Sequence, residues 1–364
     1  MKLPHSFFPR AALALIGCVV LPLSSVQAQD EAAKAEGPKF KVKITNLENP
    51  SGVAVDPATG HVFVASRYGV YRYDPAKHTE NVPKGEKISL AISGYPTDVY
   101  GKGPMYNIGP LGLAIRGTWL IVGDGSRVDG EELVRIYDIK PEMKADDVPV
   151  KEDAAAFTLG PIKAGDVSEK GEGNYYGVVT IGDNIYITSN GDDTKGWIVR
   201  SEIKENTPGE LTGFIATKEV LEVDAPAAAT VSPDGAELVV SQMGEVNVPD
   251  DSLLTFYNPA DGKLIRSLET GLSDIVGLAY SPKSKKLYAT EFSWVDPTKG
   301  ALYRLDIEGD KVTPVKILEL DKPAGLAFDK DGNNLYITVF GSVKEGEESE
   351  DSPGTLIGVD ATDL

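Results

Sequence analysis

Six times along this chain a short apolar block built on the pattern Gly-Val-Ala-Val returns, and each copy is followed by a second apolar block and then a third. The first blocks read PSGVAVDP from Pro50, PLGLAIRG from Pro110, YYGVVTIG from Tyr175, PAAATVSP from Pro226, IVGLAYSP from Ile275 and PAGLAFDK from Pro323. A recurrence of this kind marks a repeat architecture, in which one unit cannot bury its apolar face alone and its neighbours complete the burial. With Gly52, Gly112, Gly177, Ala228, Gly277 and Gly325 aligned, the spacing drifts between 48 and 65 residues while the blocks stay constant. The variation therefore lies in the connections. A chain of 364 residues is long enough for two ordinary domains, but the repeats outrank length and argue for one unit.

The second blocks are HVFVAS from His61, TWLIVGD from Thr118, NIYITSN from Asn184, ELVVSQ from Glu237, KLYATEF from Lys286 and NLYITVF from Asn334. They are rich in β-branched and aromatic residues, the composition of strands. Third blocks such as GVYRYDP from Gly69 and ALYRLDI from Ala301 alternate in character, as strands with one covered face do. Turn sequences such as Ser232-Pro233-Asp234-Gly235 and Asp331-Gly332-Asn333 join first to second strands as hairpins. Fourth strands are read near Lys87, Ala155, Lys263 and Val315 and within 212–223. The sixth copy has no fourth block before Leu364, whereas KFKVKITNL, from Lys39 to Leu47, alternates like a strand and belongs to no repeat. The expectation is an all-β chain, a six-bladed β-propeller over residues 39–364 closed by an N-terminal outer strand in the last blade, which hides two otherwise open edges.

Ahead of this, Lys2 and Arg10 precede an apolar run from Ala11 to Leu23 and the small residues before Gln29, the layout of a secretory signal over residues 1–28. A disordered leader is expected over residues 29–38, and an exported protein, periplasmic or extracellular. A second reading takes Leu15-Ile16-Gly17-Cys18 as a lipoprotein box. The apolar run is too short to span a bilayer, and no transmembrane segment is expected. If Cys18, the sole cysteine, leaves with the signal, disulfides, thiolate catalysis and thiolate-bound zinc are excluded. Loss of Lys2 and Arg10 takes the formal charge from −19 to −21, a surface that repels phosphate backbones and argues against nucleic acid as a partner. A monomer is expected.

The phrase PAGLAFDKDGNNLYIT, from Pro323 to Thr338, resembles the NHL repeats and the senescence-marker/gluconolactonase family. The fourth copy, from Val231-Ser-Pro-Asp-Gly to Phe256-Tyr-Asn-Pro-Ala-Asp-Gly-Lys, is similar to YVTN-type propeller repeats. The resemblance spans roughly residues 39–364 and implies the blades. The gluconolactonase family holds a metal in the central channel with Glu, Asn and Asp residues near the starts of inner strands. The equivalent positions here are Ser51, Leu111, Tyr176, Ala227, Val276 and Ala324, none of them a carboxylate; Asn107, Asn174 and Asp274 lie a few residues upstream.

In a propeller blade the connections after the second strand share a face with the connections between blades. Here those are the long, variable ones, and long loops on a rigid scaffold are the usual place for binding. Candidate ligand-binding residues on that face are Arg127, Tyr175, Tyr176, Trp294 and Asn107, suited to a protein, peptide or carbohydrate ligand. Arg127 has two readings, a ligand carboxylate or pairing with Asp129 or Glu131. Trp294 likewise has two, stacking on a ligand or pinning its own loop. Asp124, Asn190, Asp192 and Glu291 are hard oxygen donors suited to Ca2+, although neither GDGSRVDGEE from Gly123 nor SNGDDTKG from Ser189 forms a complete calcium loop. The histidines after the signal, His61 and His78, fall on the opposite face, which argues against a Ser-His-acid site. The first functional reading is a binding or scaffold protein; the second is a metal-dependent, lactonase-like hydrolase with a remodelled channel.

Overall fold

Each first block becomes the inner strand of a separate antiparallel sheet, and six such sheets form a six-bladed β-propeller. The computed structural model describes residues 38–364 apart from 79–81, 84–87, 102, 140–147, 166, 192–194, 224, 344–348 and 363. The expected signal, and the leader up to residue 37, lie outside the described residues. Blade 1 consists of Val53–Val55, Val62–Ser66, Gly69–Tyr73 and Ser89–Ser93, and blade 2 of Pro110–Arg116, Trp119–Asp124, Val134–Asp138 and Phe157–Leu159. Blade 3 is built from Val178–Ile181, Asn184–Ser189, Trp197–Lys204 and Thr212–Ala216, and blade 4 from Pro226–Val231, Leu238–Gln242, Leu253–Tyr257 and Leu264–Glu269. Blade 5 runs through Ile275–Tyr280, Leu287–Glu291, Ala301–Glu308 and Lys311–Glu319. In blade 6, Pro323–Phe328, Asn334–Val339 and Pro353–Asp360 are joined by Phe40–Glu48, which pairs antiparallel with Pro353–Asp360 from Phe40 opposite Val359 to Glu48 opposite Pro353.

Alternation along the strands explains why the sheets stack. In blade 4, Val239 and Phe256 face blade 5 and pack with Leu278 and Leu287, while their neighbours Leu238, Val240 and Tyr257 face blade 3 and pack with Tyr186 and Ile198. Both faces of each sheet are thus buried, and one apolar cluster fills each of the six junctions between adjacent blades. A seventh cluster, around Phe292 and Trp294, belongs to no junction.

The glycine of the repeat follows from crowding at the axis. Gly52 N–H donates to Leu111 O of the next inner strand at 2.9 Å, and a Cβ on Gly52 would stand 2.3 Å from that oxygen. A second device joins blades 3 to 6 to their successors. Thr188 Oγ accepts from Gly177 N–H and donates to Ala227 O of blade 4, and Ser241 Oγ accepts from Ala228 N–H and donates to Ile275 O of blade 5. Thr290 donates to Ala324 O, and Thr338 to Ser51 O. All four are fully buried, and each satisfies a carbonyl that the close approach of inner strands would otherwise strand.

Where a loop was expected between blades 1 and 2, a small hairpin stands, Asp98–Tyr100 paired with Tyr106–Ile108. The turn that reverses it starts at Gly101, whose φ of +133° is open only to glycine at low cost. No helix among the described residues is long and apolar enough to cross a membrane.

Candidate binding site at the channel mouth

Ser51, Leu111, Tyr176, Ala227, Val276 and Ala324, one from the start of each inner strand, all line a single cavity. A cavity fed by every blade lies on the axis, and its other walls are supplied by the long-loop face: Met243 follows the second strand of blade 4, Phe292 and Trp294 that of blade 5, Phe340 that of blade 6, and Tyr100 and Tyr106 come from the hairpin between blades 1 and 2. The space in it open to water-sized molecules is about 100 Å³, below the ~300–1,000 Å³ usual for a whole drug-sized ligand and suited to one flat group of a ligand. Its polar residues are Ser51, the tyrosines Tyr100, Tyr106 and Tyr176, and the amides Asn49, Asn174 and Asn190; no charged side chain among the described residues lines it.

The aromatic wall is held by edge-to-face packing and by hydrogen bonds at its back. Tyr106 stands at 5.2 Å from Trp294 and 4.9 Å from Phe340, centroid to centroid, and Phe292 at 5.2 Å from Trp294. Trp294 N–H donates to Asp274 Oδ2 at 2.7 Å, its indole N–H to Pro104 O at 3.1 Å, and its carbonyl accepts from Lys322 Nζ at 2.8 Å. Lys322 is buried, with its ammonium 5.1 Å from the Phe292 centroid. Burial lowers its pKa against the pull of Asp321, Asp274 and Asp296. Burial also pushes the Asp274 carboxyl up to about 6, helped by Asp251 and Glu291, and the Tyr106 hydroxyl up to about 12.

A second cavity adjoins the first and shares Tyr100, Asn174, Asn190, Ala225 and Met243 with it. It has a different character, because Asp98, Asp129, Lys170 and Glu245 stand in its walls. Asn190 forms part of the partition: its Nδ2 donates to Tyr100 Oη at 2.8 Å, while its Oδ1 is buried with no hydrogen-bond donor among the described residues.

The remaining sequence candidates fall elsewhere. Arg127 pairs at 2.5 Å with both Asp124 and Glu152, rather than with Asp129 or Glu131, and Arg135 closes the same network on Glu152 at 2.5 Å. Tyr175 is fully buried between blades 2 and 3, pointing away from the cavity that its neighbour Tyr176 lines, since successive residues of an extended chain face opposite ways. Asn107 ties the hairpin down, donating to Glu350 O and accepting at its carbonyl from Asn49. Asp124 is fully buried and accepts from Ser126 N–H at 2.9 Å and Ser126 Oγ at 2.5 Å besides its arginines. Glu291 is buried at the end of the second strand of blade 5, accepting from Ser273 N–H, and burial raises its pKa. Asp192 lies outside the described residues.

The three described oxygen donors, Asp124, Asn190 and Glu291, do not converge. Asp124 is spent on an internal ion network, Glu291 on a backbone N–H, and Asn190 stands in the channel wall; among the described residues no three His, Cys, Asp or Glu are grouped so as to hold a metal. A calcium ion takes six to eight oxygens, and the apolar starts of the inner strands do not fit one in the channel.

Sequence reasoning missed the hairpin tyrosines as part of one wall with Phe292, Trp294 and Phe340, and it missed Met243 and Lys322. The readable signal was that aromatic residues recur directly after the second strands of blades 5 and 6, in KLYATEFSW and NLYITVF.

No family model and no curated protein matches the chain. Among solved structures it is similar to a gluconolactonase from Xanthomonas campestris, at 14% identity and a TM-score of 0.57 over 89% of each chain. It is also similar to the soluble aldose sugar dehydrogenase of Escherichia coli, at 16% identity and a TM-score of 0.54 over 89% of this chain and 99% of that one. Regucalcin from Agrobacterium tumefaciens, a calcium-binding protein, matches at 14% identity and a TM-score of 0.52 over 89% and 95%. The class is thereby defined: a six-bladed β-propeller with gluconolactonase- and regucalcin-like structural neighbours. At these identities the likeness is one of fold.

Proposed function

We propose that this protein is an exported binding propeller whose long-loop face takes its ligand, with a flat apolar part of that ligand seated in the channel mouth. The observation that carries the reading is the cavity itself, open at the long-loop face, walled by aromatic rings and edged by amides. Tyr68, Val99, Met105, Val128, Val248 and Val295 are exposed, and all six stand on connections of that face, where a ligand reaching beyond the cavity would cover them.

A lactonase reading is favoured by the likeness to the Xanthomonas enzyme, and the sugar-acting names of two neighbours make sugar rings suitable candidates for stacking. Against a metal-dependent reaction stand the six inner-strand starts, which offer one hydroxyl from Ser51 and one phenol from Tyr176 and otherwise only carbon.

The test is a titration of the full chain with oligosaccharides, aromatic peptides and lactones, with and without calcium, followed by tryptophan fluorescence and by lactone hydrolysis. Tyr176→Ala should weaken binding at least about tenfold and leave the melting temperature within a few degrees. Unchanged binding by this variant would move the site elsewhere, and calcium-dependent lactone turnover by the wild type would replace the binding reading with the hydrolase.

A further inference from the structure

The two adjoining cavities differ in what they can accept. The inner one offers aromatic faces and amide edges with no charge among the described residues of its walls, whereas the outer one carries Asp98, Asp129 and Glu245 against Lys170. They meet at Asn190 and Tyr100. A ligand spanning both would place a flat apolar group among the rings and a polar head beside three carboxylates and the free acceptor Asn190 Oδ1. A head that donates hydrogen bonds and carries positive charge suits the Asn190 acceptor and the excess of three carboxylates over the single ammonium of Lys170. An anionic head meets like charge, in a chain whose formal net charge is −19. Lys322, behind the aromatic wall, is offset by Asp274, Asp321 and Asp296 and donates to Trp294 O.

We infer that the site selects small organic cations, an ammonium or amidinium head on an aromatic or similarly flat body. This rests on the channel-mouth reading above and adds to it the sign of the ligand's charge. The rings contribute twice, by apolar contact with the body and by attraction of their faces for a nearby cation, while the outer carboxylates raise the local concentration of cations.

Three probes that share a phenethyl body test it: phenethylammonium, 2-phenylethanol and 3-phenylpropionate, titrated into the full chain at pH 7.5 and low salt by calorimetry and tryptophan fluorescence. The cation is expected to bind about tenfold or more tighter than the alcohol, and the acid weakest. Added salt at ~0.5 M should shrink the difference between cation and alcohol and leave the alcohol unaffected. The double variant Asp98→Asn, Glu245→Gln should bring the two within about threefold of each other, with an unchanged melting temperature because Glu245 is exposed and Asp98 partly so. Equal or tighter binding of the alcohol or the acid overturns the charge selection and leaves the cavity reading standing. Absence of binding by all three overturns the inference too, and the Tyr176→Ala titration then decides separately whether the channel mouth is a site at all.

Discussion

The two sides of the long-loop face are built from opposite materials. On the side of blades 5 and 6 the connections are pinned by rings, Phe292, Trp294 and Phe340 packed on Tyr106, with one buried ammonium behind them. On the side of blades 2 and 3 they are pinned by charge. Asp124 and Glu152 hold Arg127 and Arg135 in a four-membered network. Nearby, Glu132 is fully buried and accepts from Asn174 N–H. Burial pushes the Glu132 carboxyl up to about 10, with Asp124 and Asp129 adding to it. The topological task is the same on both sides. The difference matters for function, since the side built from rings leaves an apolar wall facing the axis, while on the side built from ions Asp124 and Glu152 are spent on their arginines and Asp129, Lys170, Asn174 and Asn190 line the polar outer cavity.

The sharpest way to break this contrast is to remove one member of each device. Asp124→Ala leaves the buried Arg135 and the partly exposed Arg127 sharing a single carboxylate and strips the acceptor from Ser126. Breaking a buried pair by deleting one partner costs about 3–5 kcal/mol, so a denaturant midpoint should fall by an amount that threatens the fold at 37 °C. Lys322→Met on the other side removes one hydrogen bond to Trp294 O and keeps the apolar stem, at a cost of about 1.5–3 kcal/mol. Equal losses from the two variants would show that the two sides are held in the same way after all.

A smaller effect separates the sides by pH. Asp274, behind Trp294, is a buried carboxyl whose pKa is raised to about 6 from its ordinary value of 3.8. Below about 4 both folded and unfolded chains carry the proton, and above about 6 neither does. Between them the folded chain keeps a proton that the unfolded chain has released, so the stability contributed by Asp274 is present in acid and is lost as pH rises through 6. The size is on the order of 2 kcal/mol. Asp274→Asn should therefore flatten the decline in melting temperature between pH 4 and pH 6.5 and keep the acceptor for Trp294 N–H. A variant whose profile still declines like the wild type would place the titration elsewhere.

How much of this was legible in the sequence follows from which forces act locally. The blades were readable because strand alternation and turn residues such as Ser232-Pro233-Asp234-Gly235 are local features, and the six inner-strand starts were readable because each is the second residue of its block. Trp294 was readable as a loop aromatic with two roles open, and the structure has it pinning its loop while also walling the cavity. Arg127 was not, because its partner Glu152 lies 25 residues away across a connection of blade 2, and nothing near Arg127 in sequence announces that acid. Tyr175 and Tyr176 were both proposed, and only register decides which of two adjacent side chains faces the axis. The buried hydroxyls Thr188, Ser241, Thr290 and Thr338 recur at one offset in the second blocks, a visible regularity whose cause appears only once neighbouring inner strands are known to lie in contact.

The smallest effect belongs to the face opposite the loops. His61 sits just past the turn between the first and second strands of blade 1, with Nε2 3.5 Å from Asp74 Oδ2. Burial lowers its pKa, outweighing the pull of Asp74, so the ring is neutral at pH 7.5 and the contact with Asp74 carries little charge. Because the folded chain resists the proton, stability attributable to His61 is full above pH 6.5 and falls as pH drops below that value. His61→Ala should cost under about 1 kcal/mol at pH 7.5 and leave binding at the channel mouth unchanged, since neither cavity includes the residue. A titration of the three charged and neutral probes into this variant, run beside Tyr176→Ala, compares the two faces directly. Binding that disappears with His61 and survives loss of Tyr176 would place the site on the hairpin-turn face and reverse the assignment of the whole molecule.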